Sequence, residues 1–185
     1  DEALALYKSF ADESKTIDEF MKAAETGDAD KLKQLLAQSN PVPIDAAAAF
    51  GATALIKAAH RGHLSSVKLL VEHKAALDKC DEFGWSPLRH ATGSDAGAEI
   101  ATWLLDARAN INATDKLGFT AIMVAAAEGK DTVVKLLMDR NADLSSKASA
   151  GDFAGKIALQ VAQDKKHDKV VALLQRSIVA GASSS

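Results

Sequence analysis

The stretch that decides the fold is FGATALIKAAHRGHLSSVKLLVEHKAALD, from Phe50 to Asp78, because it comes again. FGWSPLRHATGSDAGAEIATWLLDARANIN starts at Phe83, LGFTAIMVAAAEGKDTVVKLLMDRNADLS at Leu117 and AGKIALQVAQDKKHDKVVALLQR at Ala154. The glycines that anchor the four units, Gly51, Gly84, Gly118 and Gly155, stand 33, 34 and 37 residues apart. In three units the second leucine of a Leu-Leu pair lies 19 residues beyond that glycine, and in the second unit it lies 21 beyond. The two extra residues fall between Gly93 and Gly97, where Ser94-Asp95 reads as a loosened turn. A period of this length marks a stack of supersecondary units, none of which buries its apolar face alone.

Each unit reads as helix, turn, helix. In the third, Ile122, Ala125 and Ala126 recur at helical spacing, and Val133, Val134, Leu136 and Leu137 form a second stripe beyond Gly129. Small residues on the first helix (Ala58, Ala59, Ala91, Ala125, Ala126, Ala162) let neighbouring backbones approach closely, while the Leu-Leu pairs fill volume on the second. The helix exits repeat as Lys74, Arg108 and Asn141 ahead of Ala75, Ala109 and Ala142. A basic residue suits a helix C-terminus, and Asn tolerates the left-handed conformation that stops a helix. Between units, Asp81, Asp115 and Asp152 each stand three residues before the glycine, a pattern that predicts tight hairpin turns.

Composition narrows the functional classes. With 185 residues, 48% hydrophobic and 25% charged, the chain builds one globular body with a real core. Twenty-two Lys+Arg against 25 Asp+Glu, net −3, supply no basic excess for nucleic acid or an anionic membrane. The longest apolar run, Ala121 to Ala127, is far short of the roughly 20 residues of a spanning helix. One cysteine, Cys80, forms no disulfide framework, which favours a cytoplasmic setting, with the nucleus as a second possibility.

Taken together, these residues closely resemble the ankyrin repeat: an Asp-x-x-Gly turn, a Thr-Pro-Leu-His helix start, a Gly-His turn, a Leu-Leu pair and a Gly-Ala-Asp-Val-Asn exit. The starts here are TALI, SPLR, TAIM and IALQ, and the exits KAALD, RANIN and NADLS. Pro survives only as Pro87 and the His of the start not at all, which implies looser hairpins between repeats than in an idealised array. The resemblance implies an all-α solenoid of stacked helix-turn-helix repeats joined by hairpin loops. Four repeats are expected at about 45–80, 81–114, 115–151 and 152–177, after an N-terminal helix and capping pair over 1–44 and before a disordered tail over 178–185. In the cap, Thr16 with Glu19 reads as a capping box, Phe20, Ala23 and Ala24 as an apolar stripe, and Gly27 as the turn. Leu4, Leu6, Tyr7 and Phe10 form one further short helix docking on it. Asp164 to Lys169 make the last turn polar, as a terminal cap requires.

Catalytic and metal constellations do not assemble from the spacing. His60 and His63 form an HxxH, and His73 follows, but two further ligands at metal spacing are missing, and His63 sits where the ankyrin pattern itself has a turn histidine. Cys80 lacks a partnering base, Asp81-Glu82 are turn carboxylates, and no glycine-rich loop has phosphate-cradle spacing. No enzyme activity, cofactor or metal is expected.

The aromatics carry the sharper signal. Five of nine lie within three residues of an anchoring glycine: Phe50, Phe83, Trp85, Phe119 and Phe153, joined by Leu117. In the ankyrin pattern these positions vary and belong to the projecting hairpins that the resemblance assigns to target contact. Two readings stand, rings packed between hairpins or an exposed apolar ladder. Charge is uneven as well: residues 1–30 hold nine acids and three bases, and residues 31–80 seven bases and three acids. One reading is solvated helix faces; the other gives Lys57, His60, Arg61 and Lys79 an affinity for an acidic partner segment. The expected function is a monomeric protein-interaction module binding a partner protein or peptide on its concave face. That face comprises Phe50, His60, Arg61, Lys79, Glu82, Phe83, Trp85, His90, Lys116, Leu117, Phe119, Glu128 and Phe153. A targeting or regulatory part of a larger enzyme or signalling protein is the alternative.

Overall fold

Helices come in pairs, and the pairs stack. The computed structural model describes the backbone of residues 2–94 and 96–182 and the side chains of 12–94 and 96–177. The pairs are α1 (Glu2–Thr26) with α2 (Ala29–Leu36), α3 (Ala54–Arg61) with α4 (Leu64–Glu72), and α5 (Pro87–Thr92) with α6 (Gly97–Asp106). They continue as α7 (Ala121–Ala127) with α8 (Asp131–Asp139), and α9 (Ala158–Asp164) with α10 (Asp168–Ala182). First helices pack on first helices in the order α1, α3, α5, α7, α9, and second helices on second helices from α2 to α10, giving two layers. Among the described residues the one strand-like pairing is an isolated bridge from Ala47 to Thr53. The all-α repeat architecture expected from the period is the one observed.

Local chemistry sets the helix starts. Thr53 Oγ1 accepts from Ile56 N–H and Ser86 Oγ from Arg89 N–H, both at 3.3 Å, satisfying N-terminal donors that lack an intrahelical partner. At the fourth start the polarity is inverted, with Gln160 Oε1 accepting from Ile157 N–H at 3.0 Å. The third start, Thr120, is buried with its hydroxyl unpartnered. At the exits Lys74, Arg108 and Asn141 all adopt positive φ, between 60° and 76°, as the repeated polar residue implies.

Packing follows the division of labour between the two helices. Ala58, Ala59, Ala91, Ala125, Ala126 and Ala162 are fully buried, which lets the first-helix layer close up. Leu70, Leu137 and Leu174, the second leucines of three pairs, and Leu104, the first leucine of the pair in the longer second unit, are equally buried in the other layer. The turn histidines lock one pair onto the next. His63 Nε2 donates to Glu25 O across the cap boundary, and His167 Nε2 to Ala127 O between the last two pairs. Each ring packs against a turn glycine: a Cβ at Gly27 would come within 2.6 Å of His63, and one at Gly129 within 2.7 Å of His167. Both glycines also have positive φ, so conformation and close approach demand the same residue.

Several expectations are corrected. α1 runs unbroken from Glu2, so Thr16 is mid-helix, and its Oγ1 donates to Asp12 O rather than capping a start. The side chains of Leu4, Leu6, Tyr7 and Phe10 lie outside the described residues, as do residues 183–185 of the expected tail. α10 continues to Ala182, past the boundary expected at 177, because neither Pro nor Gly interrupts the run from Gln175 to Ala180. Asp152 does not make the fourth hairpin: Ala148 N–H donates to Lys156 O and Ala148 O accepts from Gly155 N–H, so four extra residues separate the pairing positions, and Asp152 rides in a 3-10 turn at the tip. The hairpins are not loose. Glu82 N–H donates to Phe50 O, Lys116 N–H to Phe83 O and Ser149 N–H to Leu117 O, at 2.8–3.3 Å, joining each hairpin to its neighbour by backbone alone.

Two measurements test this packing. Leu70→Ala removes a leucine with no solvent exposure and should lower the free energy of unfolding by about 2–5 kcal/mol in urea titration; a change below about 0.5 kcal/mol would put the residue outside the core. Arg61 and Lys57, bonded to Glu25 at 2.7 and 3.0 Å, hold its carboxyl down from 4.5 to about 2. Because the folded pKa is the lower one, the contribution is complete above about pH 4.5 and lost as pH falls toward 2. Glu25→Gln should therefore flatten the acid limb of the stability profile in that window, by on the order of 0.5–1 kcal/mol, since water screens a half-exposed pair.

Candidate partner-binding face

The hairpins are built around two buried carboxylates. Asp81 Oδ1 accepts from Phe83 N–H and Trp85 N–H, both at 2.9 Å, closing the second hairpin from inside. Asp115 Oδ1 does the same for Leu117 and Phe119 at 2.8 and 2.9 Å. The other oxygen of each carboxylate reaches a helix. Asp81 Oδ2 accepts from His90 Nε2 at 2.9 Å, and Asp115 Oδ2 from Arg89 Nε at 3.1 Å. The residue standing where the ankyrin pattern has its helix-start His is thus Arg89, which reaches forward to the next hairpin. Its guanidinium also lies 3.5 Å from the Trp85 ring centroid, so one side chain fixes both an aromatic and a carboxylate.

Around these anchors the aromatic side chains fall into two groups. Phe50 and Phe83 stack at 6.3 Å between centroids, Phe83 meets Trp85 at 5.5 Å, Trp85 meets His90 at 5.3 Å, and His90 meets His60 edge-on at 5.3 Å. Further along, Phe119 and Phe153 pair at 5.9 Å, with Lys156 and Lys165 over the Phe153 ring. Phe50 is 65% exposed, Phe83 52% and Leu117 48%, while Trp85, Phe119 and Phe153 are half-buried. Exposure therefore differs from ring to ring along the hairpins. Phe50 is also held at φ 61°, a left-handed conformation that costs an aromatic residue about 1 kcal/mol or more. The cross-hairpin bond from Glu82 N–H to its carbonyl helps keep it there.

Phe50, His60, Arg61, Phe83, Trp85 and His90 line one groove of about 360 Å3, whose floor is completed by Ala49, Ala52 and Ile56. Lys57, Glu25 and Asp81 are the other charged residues that line it. A second depression of about 300 Å3 continues it past Arg89 to Glu128 and Val124, sharing His60, Trp85 and His90. Other expected contact residues lie elsewhere. Lys79 Nζ donates to Asp45 O, tying two exit loops together, and Glu82 and Lys116 are exposed residues whose backbone amides make the hairpin links. Phe119, Phe153 and Leu117 belong to the far hairpins. Sequence reasoning left out Glu25, Arg89 and Ile56. Arg89 could have been found from its place four residues beyond Trp85 on a helix start, whereas Glu25 carries no local signal.

Electrostatics separates the histidines. Burial pushes the pKa of His90 down, against the pull of Asp81, so its imidazole is neutral at pH 7. Asp81 is acceptor-only, so His90 carries its hydrogen on Nε2, and its Nδ1 is left to accept from His60 Nδ1–H at 3.4 Å. The HxxH histidines diverge, His60 to His90 and His63 to Glu25 O, and His73 turns to Leu69 O. Among the described residues no group of three or more His, Cys, Asp or Glu is placed to hold a metal ion. Partial burial and the carboxylates of Asp81 and Asp78 raise the Cys80 pKa, the opposite of what activates a thiol nucleophile. No helix among the described residues is long and apolar enough to cross a membrane.

Comparison with known proteins matches this architecture. The family profile described as "Ankyrin repeats (3 copies)" covers residues 20–115 and again 94–182. Inversin of Canis lupus familiaris is 33% identical over 114 residues, 62% of this chain and 10% of that protein. Ankyrin repeat and SAM domain-containing protein 6 of Mus musculus is 36% identical over 129 residues, 68% of this chain and 14% of that protein. Ankyrin repeat domain-containing protein 63 of Homo sapiens is 36% identical over 90 residues, 47% of this chain and 24% of that protein. The chain thus spans less than a quarter of the length of these relatives. With stacked helix pairs, inter-pair hairpins and a profile that covers it from Phe20 to Ala182, the chain belongs to the ankyrin repeat family.

Proposed function

We propose that the chain is a non-enzymatic, monomeric interaction module that binds a partner protein or peptide on the face formed by its hairpins and first helices, in the cytoplasm or nucleus. Ankyrin repeats are generally protein-protein interaction modules, and the observation that carries the reading to this surface is the groove at the first two hairpins. There Phe50 and Phe83 stay exposed, and Phe50 is held in a disfavoured conformation. Apolar rings kept on a surface at a conformational cost are the mark of a binding site. The small share of its relatives that the chain spans supports a second reading alongside the first, in which this module serves as the targeting or regulatory part of a longer protein.

Phe83→Ala and Trp85→Ala test the assignment together. A partner recovered with the wild-type chain and identified by mass spectrometry is titrated against each purified variant. Phe83→Ala should weaken binding by roughly 1–4 kcal/mol and leave the thermal midpoint nearly unchanged. Trp85→Ala should weaken binding and lower stability as well, because it removes the ring on which Arg89 rests. Full affinity in Phe83→Ala would move the contact surface off this groove.

A further inference from the structure

The first helices that border the groove do not end alike. α3 carries Arg61 in its last turn and α5 carries Arg89, cations placed where a helix end gathers the partial negative charge of its unpaired carbonyls. α7 has no basic residue in its last turn, and the residue that follows it is Glu128, which stands one place before the turn glycine Gly129 just as Arg61 stands before Gly62. A carboxylate is the group that such a helix end disfavours. Among the described residues Glu128 is exposed, makes no ion pair and accepts no hydrogen bond. It lies over bare backbone, where a Cβ on Gly93 would stand 3.3 Å from its Oε2. The two parts of the groove differ as a result. Around Phe50, Phe83 and Ile56 formal charge cancels, Lys57 and Arg61 against Glu25 and Asp81. In the depression beyond Trp85, Arg89 is spent on Asp115 and on the Trp85 ring, which leaves the charge of Glu128 uncompensated beside Trp85 and Val124.

We propose that the groove takes an extended peptide segment that sets one large apolar side chain among Phe50, Phe83 and Ile56 and, a few residues away, one Lys or Arg against Glu128. The proposal rests on the interaction-module reading and adds the chemistry of the partner. The incoming cation supplies at the end of α7 the positive charge that α3 and α5 carry themselves. Its aliphatic stem runs along Trp85 and Val124 and leaves the charged head at the carboxylate. The first part of the groove lies on α3 and the second between α5 and α7, so at the usual 8–10 Å between packed helices their centres stand roughly 8–15 Å apart. An extended chain covers that distance in about three to five residues. An acidic segment fits less well, because Lys57 and Arg61 are already matched by Glu25, and a second carboxylate would meet like charge at Glu128.

The test pans a phage-displayed library of short random peptides on the full chain at about pH 7 and low salt, then titrates the most enriched sequence as a synthetic peptide against the wild type and Glu128→Gln. Enriched peptides should pair an aromatic or branched aliphatic residue with Lys or Arg about three to five positions away. Glu128→Gln should weaken binding roughly two- to fivefold, as the loss of an exposed ion pair does. Replacing the peptide's basic residue by uncharged norleucine should cost the wild type a similar factor and the variant nothing further. The thermal midpoint of Glu128→Gln should be unchanged or higher, since the carboxylate opposes its own helix end. Absence of enrichment, equal affinity for wild type and variant, or a midpoint that falls together with affinity would each overturn the proposal. Neutral or acidic peptides that lose affinity to Phe83→Ala would overturn it and leave the interaction-module reading standing. Peptides indifferent to Phe83→Ala would remove the groove from both.

Discussion

A buried carboxylate facing two ways underlies the functional surface. Stripping an ionised carboxyl of water is expensive unless its oxygens find donors, and Asp81 and Asp115 each gather three by joining a hairpin to a helix. One oxygen gathers two amides of its own hairpin; the other binds a side chain of a first helix, in its own repeat for Asp81 and in the preceding repeat for Asp115. Hairpin shape and hairpin position are set together. The rings of Phe83 and Trp85 sit where they do because the amides of those same residues are held by Asp81.

Where that device is missing, the hairpin changes. Ala48 replaces the Asp in the first hairpin, and only backbone bonds close it, from Ala48 N–H to Ala52 O and from Gly51 N–H to Ala48 O. Its tip carries the left-handed Phe50. Ala148 replaces the Asp in the fourth, which lengthens to a 3-10 tip with no side-chain clamp. The two hairpins with a carboxylate stand between the two without, and the groove opens where a clamped hairpin meets an unclamped one.

The repeat was legible because its signals are local and periodic: turn glycines, paired leucines and exit residues each act within a few positions of themselves. The failures share one cause, which is that a local pattern was given a job that distant residues decide. T-x-x-E at Thr16 looks like a helix start, yet no Gly or Pro interrupts α1 around it, so the hydroxyl turns back on Asp12. Asp152 has the right offset from Gly155, but the 37-residue spacing conceals four residues inserted before that glycine. The loose hairpins inferred from the missing His overlooked Arg89, which is long enough to reach Asp115 with a different functional group. Glu25 escaped notice because its partners lie 32 and 36 residues away, one repeat period along. The aromatics could be located from the sequence, but their exposure depends on which neighbour each hairpin acquires.

Among the described residues the main contacts in both layers run from each helix pair to the next, and this gives the molecule a grain. Pulled from its two ends, a chain whose main contacts join neighbouring pairs carries little load past a yielding interface, so force would strip one pair at a time instead of breaking the whole at once. The backbone bonds between hairpins and the histidines at the turns are the rungs that would part in succession. A ligand gripping α3, α5 and both of their hairpins would act as a splint across two of those steps, making this part of the ladder the last to open.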